Sequence, residues 1–171
     1  MTESPHLTFI LGGARSGKSA YAEGLIMAYA PPWTYVATAQ AFDDEMRARI
    51  DLHLARRGSG WRTIEAPQDL PGAIADAPPE APLLIDCLGI WLSNRMHVEA
   101  DLVADRAALI AALVARRAPT VVVSPEVGLS IVPENALARR FRDAAGLLHQ
   151  EVARIAAHVA LVVAGYPVKV K

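Results

Sequence analysis

A chain of 171 residues with 53% hydrophobic residues has room for one buried core, and its formal net charge of -1 offers no basic excess for nucleic acid. The single cysteine, Cys87, excludes an intrachain disulfide and a cysteine-rich metal cluster. No apolar run approaches the length of a membrane span and no basic-then-apolar leader precedes the first element, so a soluble cytoplasmic enzyme is expected.

The apolar run 7–11 predicts a buried strand, and it feeds directly into Gly12-Gly13-Ala14-Arg15-Ser16-Gly17-Lys18-Ser19 and then a helix over 18–29. This is a GxxxxGK[ST] loop in its strand–loop–helix context. Glycines let backbone N–H groups curl around a polyphosphate, and the helix N-terminus turns its positive end to the same anion. Lys18 then reaches the β- and γ-phosphates, and the Ser19 hydroxyl is placed to ligate Mg²⁺. A nucleoside triphosphate is the expected ligand.

Further strands are predicted at 34–37, 61–65, 83–86, 120–124 and 160–164, and helices at 43–57, 87–96, 103–117 and 134–158. The tail 168–171 alternates like a short edge strand whose lysines discourage unwanted pairing. Prolines 31, 32, 67, 78, 79 and 82 punctuate the connections. Strands alternating with helices predict an α/β fold of the P-loop NTPase (RecA-like) kind, a mostly parallel sheet flanked by helices on both faces, in one domain over 1–171. In such a sheet the ligand crevice lies at the carboxyl ends of the strands. The P-loop, Thr38-Ala39, Asp86 and 124–128 should therefore meet there.

Asp86 ends the run Leu83-Leu84-Ile85-Asp86, where an acid in a P-loop fold holds Mg²⁺ beside the serine ligand; it is equally suited to cap the next helix. On the helix 43–57, Met46, Ile50 and Leu54 make an apolar stripe with His53 at its margin and Arg49 and Arg56 within reach of it. Flanking cations disfavour the imidazolium, which keeps the ring nucleophilic, although a histidine in such a place is also commonly structural. Two arginine clusters, Arg47, Arg49, Arg56 and Arg57, and Arg139, Arg140 and Arg142, are solvated faces or phosphate-binding groups. Glu126, in a loop facing the crevice, is placed either to contact substrate or to brace that loop. Residues 131–135 read as a helix start with Pro133 in the first turn. His6, His97, His149 and His158 show no paired metal-ligand spacing and read as surface or core residues.

Taken in order, several blocks resemble one family, the bifunctional adenosylcobinamide kinase and adenosylcobinamide-phosphate guanylyltransferases of cobalamin biosynthesis. They are the P-loop, Val36-Ala37-Thr38-Ala39-Gln40, Asp43-Asp44-Glu45-Met46-Arg47-Ala48-Arg49-Ile50, His53, Trp61-Arg62-Thr63-Ile64-Glu65 and Leu84-Ile85-Asp86-Cys87-Leu88. Trp91-Leu92-Ser93-Asn94, Glu126-Val127-Gly128, Ile131-Val132-Pro133-Glu134, Phe141-Arg142-Asp143 and Gly146 complete the set. The resemblance implies phosphorylation of the aminopropanol hydroxyl of adenosylcobinamide, and transfer of GMP from GTP to the resulting phosphate through a guanylylated histidine matching His53. It further implies nucleotide contacts from Gly12 to Ser19, from Ala37, Thr38 and Ala39, from Leu54, Ala55, Arg56 and Arg57, and from Glu65 and Asp86. GTP, with ATP as a possible second donor, Mg²⁺ and a homotrimer with sites between subunits follow from the same resemblance. Three positions depart from the pattern: Pro125 stands where asparagine is usual, Gly89 for a common threonine, and His149 for an asparagine. Two other readings compete on the residues alone, a P-loop kinase for another small alcohol without the transferase step, and a nucleotide-switch module.

Overall fold

The computed structural model describes residues 4–39 and 58–171. Among them run β1 (Ser4–Gly12), α1 (Lys18–Met27), β2 (Trp33–Ala37), β3 (Trp61–Glu65), α2 (Leu70–Asp76) and β4 (Leu83–Asp86). There follow α3 (Leu88–His97), α4 (Leu102–Ala115), β5 (Thr120–Pro125), α5 (Ala136–Ile155), β6 (Ala156–Val163) and β7 (Tyr166–Lys169). The strands form one sheet in the order β3-β2-β4-β5-β1-β6-β7. Every pairing is parallel except β6 with the edge strand β7.

The strands read as nearly continuous apolar runs because both faces of the sheet are covered. Leu7, Phe9, Leu83, Ile85 and Val122 point to one face, where they pack with Leu70 and Ile74 of α2, Trp91 and Leu92 of α3, Leu109 and Leu113 of α4, and Leu148 and Val152 of α5. Ile10, Leu84, Val121 and Val123, their neighbours in sequence, point to the other face and meet Ala22 and Ile26 of α1. The expected mostly parallel sheet with helices on both faces is what forms.

Some boundaries differ from the sequence expectation, each for a physical reason. The last helix stops at Ile155 rather than continuing through residue 158, and β6 begins at once with Ala156. Alanines 156 and 157 favour helix locally, but Ala156 pairs with Ser4 and His158 with Thr8, and the ladder along β1 outweighs propensity. The start of α5 also moves. Pro133 precedes the helix, and Asn135 caps it by accepting hydrogen bonds from the N–H groups of Leu137 and Ala138. Helix α2 was not expected between the prolines; Asp69 caps it, accepting from Gly72 N–H at 2.9 Å, and Pro71 fits its first turn. The edge strand β7 sits two residues earlier than the alternating tail suggested.

Candidate nucleotide-binding site

The P-loop leaves β1 at Gly12 and enters α1 at Lys18, with Gly17 in the left-handed region (φ 93°) that a glycine occupies without strain. A side chain on Gly12 would run into Ser16 Oγ and come within 2.8 Å of the Val162 carbonyl. The loop is thus shaped from behind. Gly165, in the β6–β7 turn, donates its N–H to the Ser16 carbonyl at 2.8 Å, and its Cα lies 3.1 Å from where a Gly17 Cβ would be. Lys18 Nζ donates to the Gly13 carbonyl at 3.2 Å, folding back over the loop. Ser16 Oγ is buried with no hydrogen-bond partner, a polar atom inside a phosphate-shaped loop.

Register brings the other expected residues into a row. Ala37 of β2 lies beside Glu65 of β3 on one side and Asp86 of β4 on the other. Asp86 is level with Val123 of β5, and β5 and β1 run two residues farther, to Pro125 beside Gly12. One strand, β5, therefore separates the P-loop strand from the strand that ends in Asp86. Ser19 and Asp86 offer a hydroxyl and a carboxylate, hard oxygen donors of the kind Mg²⁺ takes alongside water and phosphate oxygens.

Thr38 is fully buried, and its hydroxyl is spent inside the protein. It donates to the Cys87 carbonyl at 2.8 Å and accepts from the Cys87 N–H at 2.9 Å. Asn94 Nδ2 reaches the carbonyls of Thr38 and Pro67, both at 2.9 Å, so α3 holds the turns after β2 and β3 together. Cys87 is buried among these groups; burial, helped by the Asp86 charge, pushes its thiol up to about 12, so it is an inert packing residue.

The loop after β5 forms the opposite wall. The Glu126 N–H donates to the Gly12 carbonyl at 2.9 Å, and its Oε1 accepts from the N–H groups of Gly128 and Leu129. Of its two expected roles, bracing is the one with observed contacts. Its Oε2 lies 3.8 Å from His149 Nδ1, and His149 Nε2 is 2.8 Å from Ser124 Oγ. Burial holds the His149 pKa down, opposed by the Glu126 charge, so the ring is neutral near pH 7 and links α5 to the end of β5. Beyond the brace, Leu129 and Ile131 are 82% and 92% exposed, an apolar lip at the crevice.

The three departures from the family pattern cluster here. A Cβ on Gly89 would overlap the Pro125 ring, 2.6 Å from its Cδ, so a proline at 125 requires a glycine at 89. Gly89→Thr should therefore lower stability by about 1–3 kcal/mol through overpacking. In thermal melts, adding Pro125→Asn should restore most of the loss; an additive double mutant would contradict the coupling.

Sequence reasoning placed the P-loop, Thr38-Ala39, Asp86 and 124–128 at the carboxyl end of the sheet, and the structure puts them there, with Ala37 and Glu65, which only the family resemblance pointed to, level with Asp86. His53, Leu54, Ala55, Arg56 and Arg57 lie outside the described residues, as do Arg47 and Arg49. It gave no role to Asn94, although the block Trp91-Leu92-Ser93-Asn94 stood among the family matches, and it missed the His149–Ser124 link and the Gly165 support. Two of the remaining histidines, His6 and His158, line a cavity of about 440 Å³ at the amino ends of the strands, away from the P-loop. Among the described residues no group of three or more His, Cys, Asp or Glu side chains is arranged to hold a metal, and no helix is long and apolar enough to cross a membrane.

The loop, the interposed strand and the terminal aspartate define a P-loop nucleotide-binding protein of RecA-like topology. A structure from Pyrococcus horikoshii OT3 determined as project PH0250 shares the fold, with a TM-score of 0.53 over 99% of this chain and 87% of that one, at 6% identity. The family is narrower. The family model CobU, cobinamide kinase / cobinamide phosphate guanyltransferase, matches residues 8–170, and the chain belongs to that family. It is 43% identical over 165 residues to the bifunctional adenosylcobalamin biosynthesis protein CobP of Pseudomonas aeruginosa, covering 95% of each chain. It is 42% identical to the CobU protein of Salmonella typhimurium and 40% to that of Escherichia coli K12, in each case over 96% of this chain and 99% of the relative.

Proposed function

We propose that this protein phosphorylates adenosylcobinamide and then transfers GMP from GTP to adenosylcobinamide phosphate, giving adenosyl-GDP-cobinamide and pyrophosphate. The observation that carries the reading is a shaped P-loop and Asp86 at one sheet end, in a chain matching bifunctional relatives over nearly its whole length. The triphosphate rests on the backbone of the P-loop, where Lys18 neutralises the β- and γ-phosphates. Ser19 and Asp86 would hold Mg²⁺, which supplies charge neutralisation to the triphosphate.

A nitrogen of neutral His53 attacks the α-phosphorus, and the bond to the bridging oxygen breaks as pyrophosphate leaves. An oxygen of the acceptor's phosphate then attacks the same phosphorus, the P–N bond breaks, and the imidazole is regenerated. Dividing the displacement makes one side chain both nucleophile and leaving group. Arg56 and Arg57 follow His53 closely enough in sequence to offset charge on the phosphoryl oxygens. Leu54, Ala55, Ala37, Thr38, Ala39 and Glu65 complete the nucleotide surroundings in this reading. Assembly as a homotrimer in the cytoplasm belongs to the same proposal, and sedimentation analysis reads the subunit number.

Incubation with α-³²P-labelled GTP and Mg²⁺ tests the covalent step. Label should survive denaturation, be lost in acid and be absent from His53→Ala. An unlabelled parent protein would remove the transferase claim, and label retained by His53→Ala would move the nucleophile elsewhere.

A further inference from the structure

We propose that Arg142 binds the phosphomonoester of the acceptor, and so distinguishes the phosphorylated corrinoid from its alcohol precursor. The identity of the acceptor rests on the function proposed above; the placement of Arg142 does not.

Arg142 Nη1 is buried and has no hydrogen-bond partner. A guanidinium keeps its charge at any physiological pH, and a buried, unmatched charged donor is costly unless an anion completes it. The neighbouring Arg139 differs, because its Nη1 donates to the carbonyls of Pro133 and Glu134. Arg95 and Arg106 are paired with Asp105 and Glu151. Arg116 also has an unmatched Nε, but its other nitrogens donate to the carbonyls of Ala77, Pro78 and Ala81, near the amino end of β4.

The course of α5 places Arg142 where phosphate chemistry occurs. The helix ends at Ile155 and passes straight into Ala156, which pairs with Ser4 at the amino end of β1, so α5 runs against the direction of the strands. His149 is level with Ser124, near the carboxyl end of β5. Arg142 stands seven residues earlier on the same helical face, about 10 Å farther along the axis. That carries its backbone past the end of the Asp86 strand, on the face of the sheet away from α1.

The side of the sheet decides which phosphate. The P-loop feeds α1 on one face, whereas α5 packs on the other. The triphosphate already has Lys18 and the loop backbone on its own side. Arg142 instead shares a helical face with His149, which meets Glu126, and the Glu126 loop offers exposed Leu129 and Ile131 to a large, partly apolar acceptor. A terminal phosphate dianion matches the two-pronged donor geometry of a guanidinium.

Parent protein, Arg142→Gln and Arg142→Lys are compared in three measurements. Calorimetric titration gives the affinity for adenosylcobinamide phosphate and for adenosylcobinamide. The parent should prefer the phosphorylated form, Arg142→Gln should lose that preference by about 10–100-fold, and Arg142→Lys should recover part of it. Labelling by α-³²P-GTP should proceed at the parental rate in both variants. The melting temperature of Arg142→Gln should not fall, since an unmatched charge is being removed. Equal affinities of Arg142→Gln and parent for the phosphorylated form would overturn the proposal, as would a labelling rate that falls with Arg142→Gln, which assigns the residue to the triphosphate. A parent that takes no label defeats the guanylyl-histidine reading, but the phosphate preference still tests Arg142.

Discussion

Lys18→Ala is expected to lower nucleotide-dependent phosphoryl and guanylyl transfer by roughly 10²–10³-fold, the usual loss when one preorganised charge stabiliser is removed, with little change in melting temperature. The two halves of that expectation have separate causes. In the protein alone the ammonium makes one hydrogen bond, to the Gly13 carbonyl in an exposed loop, so its removal leaves the fold almost untouched. With a triphosphate on the loop, the same ammonium is the cation closest to the β- and γ-oxygens by the logic of the motif. In the function proposed above both activities depend on that triphosphate, so both should fall together. Steady-state assays of the two reactions beside a thermal melt read the result. A variant that kept either activity near the parental level would show that this reaction does not use the P-loop.

The second large effect is on stability. Thr38→Val keeps the shape of the side chain and removes its hydroxyl, leaving the N–H and the carbonyl of Cys87 buried without that partner. The Cys87 N–H is then unsatisfied, whereas its carbonyl keeps the Trp91 N–H at 3.3 Å, so the substitution should destabilise by about 1–3 kcal/mol. For a chain of this size that is a fall in melting temperature of roughly 2–10 °C. Thr38→Ser, which retains the hydroxyl, should lose far less. Cys87 follows Asp86 directly, so the loosened strand end also displaces the carboxylate, and activity in Thr38→Val should drop beyond what unfolding explains. Chemical denaturation at a temperature where the variant is folded separates the two effects. A Thr38→Val protein as stable as Thr38→Ser would mean that the paired hydrogen bonds contribute nothing.

What the chain disclosed in advance follows from how locally each feature is encoded. Gly12 to Ser19 carry their chemistry in eight consecutive residues, and Asp86 announces itself by ending an apolar strand. Register then does the rest, because parallel strands with apolar cores on both faces align their ends. The helix around Asp69 stayed hidden because it has only seven residues and contains Pro71 and Gly72, which obscure a helical period. The start of β6 was missed because Ala156 and Ala157 take their conformation from β1, a partner some 150 residues away. Ser124 and His149 meet across 25 residues of loop and helix, a distance no periodicity reports. The Gly89–Pro125 contact is of the same kind: two separate departures in sequence, one steric requirement in space.

The support of the P-loop by the β6–β7 turn sets the order in which the protein becomes competent. Strand β1 leaves the ribosome first, yet one of its two flanking strands is β6, and the Ser16 carbonyl is met by Gly165. At translation rates of roughly 5–20 residues per second, the interval between those two segments is on the order of 10–30 s. Throughout it the Gly-rich sequence is present without the hairpin that shapes its back. The loop therefore reaches its supported shape only once β6 has paired with β1 and the turn at Gly165 has docked behind Ser16, late in folding although the loop itself is made early.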